Sequence, residues 1–577
     1  MRHRLTALSL PFALLAVAGC GGFGSSDSGT STSADTTSGS DAFSGTQWTT
    51  PSDTYTTSYD ASTPYDTASA SDTVGPTPGA DTSQPPPDAT GPTDAHADDP
   101  APPGTNPFVV VGHDPFSTFG ADVDTASYDI FKRDVQQLHR LPLPASVRLE
   151  EFVNYFHYAY PAPAWEAERP FNVAVEAAPS PFTATTLLRV GLQGKIVPPE
   201  LKAPANLVFL VDVSGSMASP SKLELVKVLL RETLNVLAPE DTVAIVTYAS
   251  QEKIVLGPTP VANRALIEQK IAGLSAGGST AGERGLAMAY EVAEQGWIEG
   301  GINHVLLCTD GDFNVGLSGT AELVEFISAK RLTGITLTVV GFGGGDLNDA
   351  MMEAVSNAGD GVYAVIGDAD SAVAYANLRM LGSLYFIAKD LKIQLAFNPA
   401  TVYAYRLLGY ENNAIADNLF VDDTVDAGEI GSGHSVTALY ELVLGDGAIP
   451  EAAGAPVAED GPAYVGAELP DFAADDIVEV RVRYKEPGAT VDDPAIPIDY
   501  RVASHRIFAS FDDAGDDLRW AAAVAAFAEI LKGSPYARLD NLDAIAAIIA
   551  EQAEVDSDRG EFKTLFESAR ELLDAGQ

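Results

Sequence analysis

The run Asp212-Val-Ser-Gly-Ser216 places one carboxylate and two hydroxyls within five residues, on a turn that contains a glycine. Hard oxygen donors with no imidazole or thiolate among them suit a hard cation, Mg2+ first, with Ca2+ and Mn2+ as alternatives. Three oxygens do not fill an octahedron. Two other segments carry further donors: Gly277-Gly-Ser-Thr280, a loop of small residues, and His304-Val-Leu-Leu-Cys-Thr-Asp-Gly311, an apolar run that ends in a second carboxylate. An isolated Asp-x-Ser-x-Ser is commonly only a polar turn or a helix cap. The case for a site therefore rests on the elements around it.

Leu207 to Val211 has no polar interruption, which predicts a strand covered on both faces, and Lys222 to Leu237 has the apolar spacing of the helix that follows. The Asp-Ser-Ser turn then falls beyond the carboxyl end of a buried strand, where open α/β sheets bind ligands. Further strands are expected at 242–248, 305–308, 336–341 and 361–366, with helices at 266–271, 285–294, 321–330 and 347–357. Strand and helix alternating at this spacing predict an α/β fold, a doubly wound and mostly parallel sheet with right-handed crossovers.

On these residues the segment from about 204 to 370 resembles the von Willebrand factor type A domain with its metal-ion-dependent adhesion site. The family pattern is Asp-x-Ser-x-Ser, then a Thr, then an Asp, and Asp212, Ser214, Ser216, Thr280 and Asp310 match it without a departure. The resemblance implies that the Ser and Thr hydroxyls meet the ion directly and the two Asp act mostly through water. An open position would then take an Asp or Glu carboxylate from a partner protein. Asp212 and Thr280 are both expected on exposed loops, so that their loss costs little stability. Asp312 and Asn314, in the loop after Asp310, either shape partner choice or form an ordinary turn.

The chain has 577 residues, 46% of them apolar, and a net charge of −46, so it has material for several cores and would repel nucleic acid. That charge also favours a cation requirement. Met1-Arg-His-Arg4 and the apolar stretch Leu5 to Ala18 read as an export signal over 1–19. Val17-Ala-Gly-Cys20 resembles a bacterial lipobox, which implies lipid on Cys20 and a cell-envelope location, the outer membrane favoured over the inner. Residues 20–106, rich in Ser, Thr, Pro and Asp, predict a disordered tether whose reach is on the order of 50 Å. Cys308, the second of two cysteines, reads as a small buried core residue.

Residues 107–203 read as an α+β region preceding the type A domain, with helices at 129–138 and 147–156, Arg148 and Glu150 exposed, and strands at 171–176 and 187–192. Asp122 and Asp124 are candidates for a second metal site or, more simply, for a helix cap. Residues 371–577 read as a β-rich domain, a sandwich built from strands at 391–397, 402–408, 436–444 and 477–484, after a linking helix at 372–381. Amphipathic helices at 517–531, 542–554 and 559–573 close it. His434 reads as a hydrogen-bonded loop histidine or, less simply, a ligand. Both flanks resemble the regions that accompany the type A domain in a group of bacterial lipoproteins.

No His-Glu-x-x-His, nucleophile elbow, phosphate-binding Walker loop or zinc-type Cys/His cluster occurs in the sequence. The reading is thus a membrane-anchored, non-enzymatic binding module. A metal-dependent hydrolase and a scaffold for an envelope complex remain as alternatives.

Overall fold

The computed structural model describes residues 104–280, 282–311, 320–343, 347–425, 427–461, 468–490 and 493–576. The signal, Cys20, most of the tether, Asp312 and Asn314 lie outside the described residues. In chain order the first elements are β1 (Val109–Val110), β2 (Phe116–Gly120), α1 (Ala126–Gln137), α2 (Leu149–Asn154), β3 (Phe171–Pro179) and β4 (Thr186–Gly194). The central segment holds β5 (Ala205–Asp212), α3 (Leu223–Val236), β6 (Thr242–Tyr248), β7 (Lys253–Pro260), α4 (Arg264–Ala272), α5 (Gly282–Gln295), β8 (Ile302–Thr309), α6 (Thr320–Arg331), β9 (Ile335–Phe342), α7 (Asp349–Ala358) and β10 (Tyr363–Ile366). Then come α8 (Ala369–Ala374), α9 (Met380–Leu384), β11 (Phe386–Phe397), β12 (Val402–Leu408), β13 (Gly428–Gly431), β14 (Ser435–Leu444), β15 (Asp476–Lys485), β16 (Ile496–Ala503), α10 (Asp516–Lys532), α11 (Leu542–Gln552) and α12 (Ser557–Asp574).

The central sheet runs β10-β9-β8-β5-β6-β7, parallel throughout except where β7 pairs antiparallel with β6. Its uninterrupted apolar strands follow from burial on both faces. Leu207, Phe209 and Val211 join a core with Val226 and Leu229 of α3, while Val208 and Leu210 join another with Leu286 and Tyr290 of α5. Each such side chain contributes about 1.5–3 kcal/mol on full burial. The edge strand β7 is not foreseen from the sequence, because Pro258 and Pro260 and its exposed lysine mask the pattern; edges tolerate proline. The expected linking helix is instead α8, a π-helical turn at Tyr375–Arg379, and α9.

The flanks differ from their reading as two successive regions. One sheet is ordered β1-β12-β14-β4-β3, and the other β13-β11-β15-β16 with β2 also paired to β11. Strands from before and after the central segment therefore share both sheets: Val190 pairs with Ala438, and Phe119 with Ile393. Phe397 of one sheet stacks on Tyr405 of the other at 4.3 Å between ring centres, so the sheets face each other as a sandwich. On the far side of the first sheet, α10 and α12 meet α1 and α2 through Trp520, Phe562, Phe131 and Phe152. Among the described residues no helix is long and apolar enough to cross a membrane.

The helix at Leu149–Asn154 also departs from expectation. Arg148 and Glu150 are buried, not exposed. Arg148 lies 2.9 Å from Glu151, 2.6 Å from Asp349 and 2.5 Å from Glu353, the last two on α7, and so forms a seam between the flank and the central segment.

Candidate metal centre

β5 and β8 are neighbours, and both end in carboxylates: Asp212 is the last residue of β5 and Asp310 follows β8. From β5 the chain moves to β6 on one side, and β8 later pairs on the other, so the two ends flank the position where strand order reverses. After Asp212 the backbone turns immediately. The Ser214 amide donates to Asp212 Oδ1 at 2.7 Å, and the Ser214 and Ser216 hydroxyls are 2.8 Å apart. Thr309 Oγ1 lies 3.5 Å from Asp212 Oδ2.

The Thr280 loop is tied to this turn through its backbone. The Gly215 amide donates to Gly278 O at 2.9 Å, and the Gly277 amide to Val213 O at 2.8 Å. Gly278 has φ +96°, a conformation that L side chains rarely adopt, which explains the glycine just ahead of Ser279. Thr280 itself is half-buried just before α5. Gly311, at φ +93°, closes the other side; a Cβ there would stand 2.9 Å from Leu347 Cα.

Asp212 is fully buried, contrary to its expected place on an exposed loop. Strand β5 carries its side chain inward, where it accepts hydrogen bonds that hold the turn. Burial pushes its carboxyl up to about 6, and the nearby Asp310 charge adds to that, against the lowering hydrogen bonds from Ser214 and Tyr248. Asp310 is buried too. Its Oδ2 accepts from Lys222 Nζ at 2.8 Å, while its Oδ1 is buried with no hydrogen-bond partner among the described residues.

Two carboxylates at neighbouring strand ends, one of them raised in pKa chiefly by burial, and a buried oxygen lacking a donor among the described residues form a set that a hard cation fits. Among the described residues no three His, Cys, Asp or Glu side chains gather in a metal-binding group. A cation here would therefore depend on the hydroxyls of Ser214, Ser216 and Thr280 beside the two Asp.

The other candidates fall elsewhere. Asp122 Oδ1 accepts from the Asp124 amide and Asp124 Oδ1 from the Tyr363 amide, so both serve the backbone. A cavity of about 240 Å3 is lined by Asp122, Asp124, Asn412 and His434, and neither Asp212 nor Asp310 reaches it. His434 packs against Gly382, and burial holds its imidazole down at about 4. His304 is the third residue of β8, its Nδ1 2.6 Å from Thr336 Oγ1. Cys308 is fully buried in β8, and burial raises its thiol pKa. The residue missed from the sequence is Lys222. Its signal was present: a lysine at the N-cap of α3, where the helix dipole disfavours a cation.

Comparison with known proteins gives three family matches: von Willebrand factor type A domain over residues 207–312, von Willebrand factor over 97–189, and the C-terminal region of uncharacterized protein YfbK over 382–572. The chain is 35% identical over 490 residues to uncharacterized protein YfbK of Escherichia coli K12, covering 82% of this chain and 81% of that one. It is 30% identical over 192 residues to an uncharacterized protein of Synechocystis, covering 33% of this chain and 44% of the relative. Among solved structures, a von Willebrand factor type A protein from Catenulispora acidiphila matches at 17% identity and TM-score 0.38, covering 70% of this chain and 90% of that one.

Proposed function

The chain belongs to the family of uncharacterized protein YfbK, with a von Willebrand factor type A domain at its centre, and from that membership we propose that it captures a partner's Asp or Glu through a divalent cation. The domain is of the protein-binding, adhesion type. Asp212, Ser214, Ser216, Thr280 and Asp310 would hold the ion, Mg2+ before Ca2+ or Mn2+. When bound, it supplies a positive charge that a partner carboxylate completes.

One observation carries this reading: two neighbouring strand ends bring Asp212 and Asp310 together, with an Asp310 oxygen left without a donor among the described residues. The protein's own groups do the positioning. Asp212 fixes the turn that presents Ser214 and Ser216, and the Gly277–Gly278 backbone fastens the Thr280 loop to it. A hydrolase would need a base at the site. His304 sits at the opposite end of β8 from Asp310, which supports binding over hydrolysis.

Capture from envelope extract on the immobilised protein tests the proposal. Retention of a partner is expected with Mg2+, is lost with chelator and returns on readdition, and is lost in Asp212→Ala. Capture indifferent to chelator, or kept in Asp212→Ala, rejects it. The envelope location belongs to the same proposal, with a lipid on Cys20 as the anchor. Cys20→Ala should move the protein to the soluble fraction, and pelleting of that variant after a high-salt wash would reject the anchor.

A further inference from the structure

Lys222 stands beside the candidate metal centre without any local structural reason to be there. It occupies the N-cap of α3, a position that favours Ser, Thr, Asp or Asn, and its charge opposes the positive end of the helix dipole. Its ammonium instead reaches Asp310 Oδ2 at 2.8 Å, and the Asp310 side chain is only 1% exposed. The stem is held in place. A Cβ at Gly343, which has φ +102°, would come within 2.6 Å of Lys222 Cε, so the lysine lies directly on that backbone.

We infer that Lys222 is a tethered cation: it neutralises Asp310 when no metal is bound and must give way when a divalent ion enters. The inference rests on the reading of Asp212, Ser214, Ser216, Thr280 and Asp310 as a metal site. A divalent ion at Asp310 Oδ1 and the Lys222 ammonium at Oδ2 would sit on one buried carboxylate and repel each other. The lysine therefore keeps the empty site folded and lowers its intrinsic metal affinity. A released ammonium beside the ion would also meet an incoming partner carboxylate, so partner and metal should favour each other.

A second contact bears on when the lysine is released. Arg133 of α1, paired with Asp134 at 2.6 Å, also donates to Gly343 O at 3.4 Å. The flank thus touches the backbone on which the Lys222 stem rests.

Titration calorimetry of the intact chain with MgCl2 tests the inference on three proteins: the parent, Lys222→Met and Lys222→Arg. Removing the charge should tighten Mg2+ binding about tenfold or more. Lys222→Arg, which keeps the charge, should stay within about threefold of the parent, a smaller change than charge removal produces. If Lys222→Met melts early without cation, the rise in Tm on adding Mg2+ replaces the titration, and it must exceed the parent's rise. Equal or weaker Mg2+ binding by Lys222→Met, with the parent still binding Mg2+, overturns the tethered cation alone. Absence of Mg2+ binding in the parent and in Lys222→Met overturns the metal site itself, and the tethered cation with it.

Discussion

Two of the carboxylate clusters among the described residues, the seam around Arg148 and the strand ends at Asp212 and Asp310, differ in how well they suit a cation. In the seam between flank and central segment, Arg148 contacts Glu151, Asp349 and Glu353, while Glu151 Oε2 accepts from the Ser127 amide and Asp124 Oδ1 from the Tyr363 amide. Glu150, which has no such cation, is pushed up to about 8 by burial and by Glu411, which favours its neutral form. At the strand ends, Asp212 and Asp310 are joined by hydroxyls and a single lysine, and one buried oxygen has no donor among the described residues. The number of buried acids does not distinguish the two places. Buried oxygens without a donor among the described residues occur in both, Asp349 Oδ1 and Glu150 Oε2 in the seam and Asp310 Oδ1 at the strand ends. What differs is that the seam already holds a guanidinium among its acids, whereas the strand ends set neutral hydroxyls of Ser214 and Ser216 beside theirs.

The largest test removes the seam's cation. Arg148→Met leaves the buried Glu151 and the half-buried Asp349 and Glu353 without their guanidinium and should cost about 3–5 kcal/mol at neutral pH. The loss should shrink at lower pH. Glu353 is held up at about 7 by burial, against the lowering charge of Arg148, and Glu150 at about 8. Acids whose folded pKa exceeds the unfolded value of about 4.5 make stability fall as pH rises from there to about 8. Urea unfolding at pH 5 and pH 8 checks both points: the parent should be more stable at pH 5, and the variant's deficit should be larger at pH 8. A deficit independent of pH would show that Arg148 acts through packing alone.

Asp212→Ala should abolish Mg2+ binding and also cost about 1–3 kcal/mol, because it strips a buried acceptor from the Ser214 amide. Calorimetry with Mg2+ and urea unfolding of the same preparation separate the two effects. Full stability would contradict the buried hydrogen bond, and full Mg2+ binding would contradict the metal centre.

The smallest effect on folding is expected at Thr280, half-buried on its loop. Thr280→Ala should change stability by no more than about 0.5 kcal/mol, yet weaken Mg2+ binding clearly. If Thr280→Ala binds Mg2+ as the parent does, the loop does not contribute its hydroxyl. The contrast between Asp212 and Thr280 would then reflect burial only.

The central segment was legible because its signals are local. Four-residue to eight-residue apolar runs, the helical spacing of 223–236 and the glycines at 277 and 278 each follow from short-range sterics and burial. The sequence by itself therefore determined the doubly wound sheet and the carboxylate at the end of each of two of its strands, Asp212 and Asp310. Only the tertiary structure decided partners. Alternation shows that 187–192 and 436–444 are strands, but not that Val190 lies opposite Ala438, since side-chain period says nothing about which strand sits alongside. Likewise Arg148 and Glu150 on a short helix read as solvent-facing until α7 supplies Asp349 and Glu353, and Lys222 only opens a helix in the sequence until β8 brings Asp310 to 2.8 Å. A charge states its own valence in sequence, whereas its environment is made by residues that only folding brings within a Debye length.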